Sequence, residues 1–456
     1  MQRRVCADCR LRPEVKNVKP SIGAIGALSI GIGGIVGGGF FATFGLTVEG
    51  AKGGTPIAFL LGGVIALLTA HSYIGLTLRY PGPGGTVAFI RIAFGQGLLA
   101  ASVNILLILS YVAIMAVYAA ALASYSVPYL PPDSRAFAAQ MIASFAVLLF
   151  GLVNFAGATL MRRLETFFNV GKLGVLGLFV VAGLLVGHLE WSRLGPAEWA
   201  PASTIVASGM LGFLAFEGFE LIANASDNVI NPKRTLPIAF LGSVIVTIVI
   251  YVLAFFVAIG HLPFTAIVEA KSFAVSAAAN NFLGPIGFSI MAAGAVLASA
   301  SAINADYFGA SKLPVDLSAY DELPSAFHRS LHGKAVLSLL VIGILAILAV
   351  NVLNLHALSA ATSGGFLIVY AAVNVAAVKL APHTGCSRLV PLVAALLCLT
   401  ALAIMVLEFL SNPATVTSGI AVGGIIIVAA LIEVFYRAIE ARTQAKYKIY
   451  PLSLTE

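Results

Sequence analysis

Charge is scarce in this chain: Asp, Glu, Lys and Arg make up 10% of its 456 residues, against 60% hydrophobic. No polar stretch is long enough to fold a soluble domain, which excludes a chain built around a water-soluble catalytic core. The absences extend to chemistry. No GxxxxGK[ST] offers a backbone cradle for nucleoside phosphates, and neither HExxH nor GxSxG occurs, so an ATPase, a zinc hydrolase and a serine hydrolase all lack their working parts. Cysteine is rare too, with four residues. Cys6 and Cys9 form a lone CADC, and a tetrahedral metal site would need two more ligands, for which only His383 and Cys386 offer themselves; Cys398 reads as ordinary helix filling. The first twenty residues hold no apolar core and no small-residue cleavage site, so no removable leader is expected. The composition points to no enzyme, no cofactor and no metal.

What is present is apolar sequence in long runs. A bilayer core about 30 Å thick needs roughly 20 apolar residues in a helix, and such runs occur near 21–48, 55–78, 90–122, 137–157, 165–188, 202–223, 236–260, 284–310, 334–352, 355–379, 388–410 and 416–437. The expected fold is an all-α polytopic membrane protein of about twelve helices, with the lipid bilayer as its surroundings. On that count, only Lys52, Arg135, Arg193 and Lys271 of the 26 basic residues fall on the side opposite the N-terminus, and Lys172 alone lies inside a span. The positive-inside rule then places both termini in the cytoplasm of a cell membrane. The net charge of +7 is accounted for by topology and needs no nucleic acid. Two polar connections interrupt the pattern. Residues 263–281 are too short and too charged to span and are expected to form a surface helix or lid, and residues 311–332 carry Pro314 and Pro324.

Two spans are irregular. In SIGAIGALSIGIGGIVGGGFFATFG, residues 21–45, Gly31, Gly33, Gly34, Gly37, Gly38 and Gly39 crowd together, each costing about 1 kcal/mol of helix propensity against alanine. The pairs Gly33/Gly37 and Gly34/Gly38 suit a close helix-packing face. The triplet 37–39 surrounds the helix instead, as an unwound, ligand-facing backbone would, and in hydrocarbon such backbone must face protein, water or ligand. In ASGMLGFLAFEGFELIANASDNVINPKRTLP, residues 207–237, Glu217 and Glu220 flank Gly218 in mid-span, where a carboxylate costs several kcal/mol unless paired, protonated or wetted. Interruptions in helices 1 and 6 predict two inverted five-helix repeats with a site between them near the midplane.

These residues carry a resemblance. GIGGIVGGGFF is similar to the helix 1 signature of the amino acid-polyamine-organocation superfamily of permeases, and FLAFEGFELIANASDNVINPKRTLPIAF to its helix 6 with the loop that follows. YPGPGGTVAFIRIAFG resembles the loop between helices 2 and 3, and SAINADYFGASKLP the end of helix 8. The likeness runs from Ser21 to Lys379 and implies the leucine-transporter fold: a basic tail at 1–20, one five-helix repeat at 21–188, its inverted partner at 189–379, two added helices at 380–437 and a cytoplasmic tail at 438–456. KLPVDLSAYDELP departs from the pattern, placing Pro314 and Asp316 where relatives continue an amphipathic helix.

The resemblance implies a secondary active transporter for amino acids or related amines, coupled to protons, with an exchanger, a channel-like protein or a sensory protein on the same scaffold as alternatives. It implies a substrate carboxylate on the amides of Gly37, Gly38 and Gly39, where helix-terminal N–H groups meet a positive dipole end. The amine would sit on the carbonyls of Ile35, Leu214, Ala215 and Glu217, under Phe219; Phe216 is either part of that site or packing. The Glu217 side chain either meets a cationic substrate group or belongs to a polar network. Glu220 matches a family position tied to proton-linked behaviour, or is a dipole-stabilised pairing residue. Lys172 sits in KLGVLGLF, similar to the KLxxxxxF of proton-coupled relatives, whose ammonium fills the volume used by sodium in others; the alternative is a lysine that snorkels to the interface.

Overall fold

The structure, a computed structural model, describes residues 20–449 other than 83, 157, 187, 321 and 329–334. Cys6, Cys9, the N-terminal basic tail, Arg329 and Lys334 lie outside the described residues.

Seventeen α-helices follow one another: α1 (Ala24–Ile35), α2 (Gly38–Ala51), α3 (Thr55–Arg79), α4 (Gly85–Phe94), α5 (Leu98–Ser126), α6 (Arg135–Ala156), α7 (Ala158–Leu185), α8 (Ala202–Leu211), α9 (Leu221–Asn224), α10 (Pro232–His261), α11 (Phe264–Ala270), α12 (Ala274–Ala310), α13 (Leu313–Ser318), α14 (Val336–Val352), α15 (Leu355–Thr384), α16 (Leu389–Ser411) and α17 (Val416–Ile449). Among the described residues, nine stretches are long and apolar enough to cross a bilayer. Two further crossings are bent pairs, α1 with α2 at 47° and α8 with the segment 213–224 at 52°. The 17-residue α14 just meets the minimum length for a span. Together these make the expected twelve, in a multi-pass integral membrane protein.

Two boundaries differ from expectation. The run at 90–122 is two helices, because Gly95 turns into the left-handed region (φ +75°) and ends α4 before α5 begins. The last helix continues to Ile449, well beyond 437. Gly284 (φ +65°), followed by Pro285, kinks α12, so 274–283 is set off from the spanning part. With α11 it forms the short helical segment expected near 263–281, and it lies against α2: a Cβ on Gly45 would stand 2.3 Å from the Lys271 carbonyl oxygen.

The chain is greasy on both surfaces, as a lipid-embedded bundle must be. Phe137, Phe145, Leu185, Ile286 and Phe435 are exposed, while Phe40, Phe59, Tyr73, Tyr118, Tyr251 and Tyr370 are fully or almost fully buried. Without a hydrophobic drive between helices in lipid, close approach and hydrogen bonds hold the bundle. Asn374 of α15 donates to Thr69 (3.0 Å) and accepts from Ser72 (2.6 Å), clamping α3. Asn154 of α6 reaches the backbone and side-chain oxygens of Asn304 on α12. Gly209 brings α8 so near α3 that an added Cβ would lie 2.3 Å from the Ala58 carbonyl oxygen.

At one end of the bundle, Arg91 of α4 stacks 3.3 Å over the Tyr320 ring and lies 3.8 Å from Glu322, which also accepts from Asn104 (3.2 Å). Burial pushes the Glu322 carboxyl up from its usual value, against the opposing pull of Asn104 and Arg91. A raised native value means that the folded chain binds more protons above about pH 4.5. This group's contribution to stability is therefore full below that pH and is lost as pH rises through the native value. Glu322→Gln, which keeps an acceptor for Asn104, is expected to flatten the fall in melting temperature of the detergent-solubilised protein between mildly acidic and neutral pH. A second pair of changes tests the packing. Gly209→Ala forces a methyl onto backbone and should cost about 1–3 kcal/mol. Gly174→Ala, a helical glycine with open space around its Cβ position, should gain up to about 1 kcal/mol. Thermal melts of both variants read the difference.

Candidate functional site

The first break is short. Helix α1 stops at Ile35, Val36 and Gly37 leave helical geometry, and α2 restarts at Gly38 with Gly37 extended as its N-cap. No side chain caps α2, so its leading N–H groups have neither an intrahelical partner nor a side-chain one. The second break is longer. A tight turn of helix at 213–216 ends in Glu217, which is extended (φ −68°, ψ 153°), and Gly218 follows at φ +109°, a conformation open to glycine and strained for any other residue. The breaks touch: a Cβ on Gly218 would stand 2.5 Å from the Gly34 carbonyl carbon.

The glycines of helix 1 meet a different neighbour on each side. An added Cβ would collide with Asn169 at Gly33, with the Gly218 carbonyl at Gly34, with Ser299 at Gly38 (2.5 Å) and with Leu214 at Gly39 (2.6 Å), and would press on Ala302 and Tyr118 at Gly37. Close packing and unwinding are thus combined in one stretch.

The backbone groups freed by the breaks are shared out unevenly. The Ile35 carbonyl accepts from the Gly37 N–H (2.8 Å) and the Tyr251 hydroxyl (3.2 Å), and the Leu214 carbonyl accepts from the Glu217 N–H (3.2 Å). Among the described residues nothing donates to the Ala215 or Glu217 carbonyls. Ser363 of α15 ties off the near side, accepting from the Leu214 N–H and donating to the Leu211 carbonyl, both at 3.1 Å.

Glu220 closes the far side. Its carboxylate takes three donors, the Gly218 N–H (3.0 Å), the Tyr370 hydroxyl (2.9 Å) and the Tyr111 hydroxyl (3.0 Å), joining helix 6 to α15 and α5. Phe219 lies buried among Tyr73, Tyr370 and Phe240. Phe216 packs instead on Phe59 and on Tyr251, the tyrosine that holds Ile35. Lys172 does not snorkel. It is fully buried, and its Nζ donates to the Gly33 carbonyl (2.6 Å) and the Ser301 hydroxyl (3.2 Å), linking α7 to α1 and α12.

Several buried atoms around the breaks have no hydrogen-bond partner among the described residues: Glu217 Oε1, Ser299 Oγ, Asp306 Oδ2 and Asn169 Oδ1. Buried polar groups are seldom left so, and their gathering at two touching breaks marks a place built for something polar. Tyr251, Ser299, Ser301 and Asp306 were not among the residues expected from sequence. Asp306 had a signal, a carboxylate inside SAINADYFGASKLP; a serine in an alanine-rich helix has none. Among the described residues, no group of three or more metal-ligating side chains comes together.

A multi-pass helical protein whose two broken spans meet with backbone and carboxyl groups left open between them has the build of a membrane transporter. The chain belongs to the amino acid permease family, whose pattern covers residues 22–431. It is 33% identical over 357 residues, 78% of this chain and 81% of the relative, to the uncharacterized protein MJ0609 of Methanocaldococcus jannaschii. It is 31% identical to the inner membrane transport protein YbaT of Escherichia coli, over 81% of this chain and 86% of that one. It is 24% identical to the methylthioribose transporter of Bacillus subtilis, over 80% and 82%. The last two are transporters by name, not enzymes.

The contact between the breaks yields a prediction. Gly218→Ala combines a strained φ with a methyl driven into the Gly34 backbone, and is expected to lower the melting temperature markedly and abolish transport. Gly423→Ala, where the Cβ position meets nothing within 4 Å, should leave both unchanged.

Proposed function

We propose that this transporter carries an amino acid together with a proton, by alternating access, across the cell's plasma membrane with both termini in the cytoplasm. The observation that supports it most is the Lys172 ammonium on the Gly33 carbonyl, at the edge of the helix 1 break. A sodium-driven design would place a metal ion among carbonyl and hydroxyl oxygens there; here the Lys172 Nζ already fills the position.

The substrate carboxylate rests on the N–H groups at Gly38 and Gly39, and on that of Gly37 once it leaves the Ile35 carbonyl, favoured by the dipole of α2. The substrate amine meets the open carbonyls of Ala215 and Glu217, with Leu214 offering its second lone pair. The Ile35 carbonyl joins once the Tyr251 hydroxyl yields. Phe219 stands behind the helix 6 break and Glu220 holds that break in shape. While Lys172 is protonated, its charge-assisted bond draws α1 to α7 and α12; losing the proton leaves a weaker neutral bond, and the inner half of helix 1 is freed to move. The basic residues that the sequence gathers at one end of the spans support cytoplasmic termini.

In proteoliposomes, amino acid uptake is expected to follow an imposed proton gradient without sodium, and Lys172→Ala is expected to abolish gradient-driven accumulation in a protein that still folds. A sodium requirement, or a pH response that survives Lys172→Ala, contradicts the reading. Accumulation that ignores the gradient but needs substrate on the far side identifies an exchanger.

A further inference from the structure

We infer that Asp306, together with Glu217, forms a cation-accepting subsite that selects substrates carrying a second positive group, such as an amino acid with an amine or guanidinium on its side chain. The inference rests on the amino acid site proposed above and names its substrate class.

Ser299, Ala302 and Asp306 recur on α12 at spacings of three and four and so share one face. The first two locate that face. Ser299 lies where a Cβ on Gly38 would be, and Ala302 stands beside Gly37 with the Tyr118 hydroxyl close by. The stripe therefore runs along the break of helix 1, and Asp306 is its next polar member, about 6 Å along the helix from Ala302. Its carboxyl is 4% exposed and Oδ2 has no hydrogen-bond partner. Glu217, from the other break, is 1% exposed with Oε1 equally unpartnered. The two carboxyls lie within electrostatic reach of one another and of Tyr118. One open oxygen from helix 6 and one from the α12 stripe thus lie buried beside the touching breaks.

The charge inventory gives the sign. Among the described residues Lys172 is the one buried lysine or arginine, and it acts on Asp306, while Glu217 and Glu220 are buried as well. Glu220 is already served by three donors. Ionised together, the four would leave two negative charges over, which is costly for buried groups, so a bound cation is what lets Glu217 and Asp306 hold charge. A neutral zwitterion brings as much negative charge as positive and leaves that excess unchanged. A substrate with a second cation reduces it, and its extra N–H groups reach acceptors that otherwise have none.

The test uses the purified full-length protein in detergent and pairs probes of like shape: lysine with norleucine, arginine with citrulline. The concentration giving half-maximal thermal stabilisation is expected to be at least tenfold lower for the cationic member of each pair, and Asp306→Asn should bring the members within about threefold of one another. Wild-type protein that responds equally to both members overturns the inference, and this result needs no variant to fold. A preference that persists undiminished in both Asp306→Asn and Glu217→Gln also overturns it. In either case, Lys172-dependent uptake of neutral amino acids would leave the proposed transport function standing. If no amino acid stabilises the protein, the subsite falls together with the site it rests on.

Discussion

Everything in this bundle answers to one constraint. A membrane interior offers no water to a broken helix, so each N–H and C=O released by a break must find another partner or cost several kcal/mol. Two breaks placed against each other share the difficulty. Gly34 and Gly218 approach to backbone contact, and the surrounding side chains supply what the backbone has lost. Tyr251 serves Ile35, Ser363 serves Leu211 and Leu214, Glu220 serves Gly218, and Lys172 serves Gly33. Each of these comes from a different part of the chain, which is why the irregular spans lie at the centre of the bundle.

The same arrangement explains how the protein could work as a carrier. Side chains that satisfy backbone groups can be exchanged for substrate groups at small net cost, since one hydrogen bond replaces another. On the outer half of helix 1 the interactions are of another kind. Phe40 stacks on Tyr251 (4.2 Å between centroids), Phe44 on Phe255 (4.3 Å), and Phe41 meets Tyr125 edge-on. This apolar layer ties α2 to α10 and α5. The inner half, α1, is held at its end by the lysine and by glycine packing. On the proposed coupling, a proton on Lys172 acts on one half of the helix and leaves the aromatic layer of the other untouched.

Much of this was legible in the sequence, and the remainder was hidden for definite reasons. Span number follows from apolar length, and both breaks announced themselves, one by Gly37–Gly39 and the other by charges beside Gly218, because glycine and carboxylate are locally unfavourable in a membrane helix. Separate helices at 85–94 and 98–126 were missed because a single left-handed glycine, Gly95, ends an otherwise unbroken apolar run. The partners of Glu220 were out of reach: Tyr111 and Tyr370 lie 109 and 150 positions away, and nothing local marks a tyrosine as a donor to a distant acid. Asp306 stood in plain view as an intramembrane carboxylate, but its significance depends on the face of α12 it shares with Ser299 and Ala302, which only the packing against Gly37 and Gly38 reveals.

The central claim is that a proton on Lys172 sets the distance between α1 and α7. It is tested most directly by spin labels at Ile25→Cys and Phe167→Cys, both exposed positions, in protein otherwise free of cysteine, with the distance read by pulsed electron resonance in lipid at acidic and alkaline pH. The account predicts a distance distribution that lengthens as pH rises and that no longer responds to pH in Lys172→Met. A distance that does not change with pH, or a pH response that persists without the lysine, would contradict it.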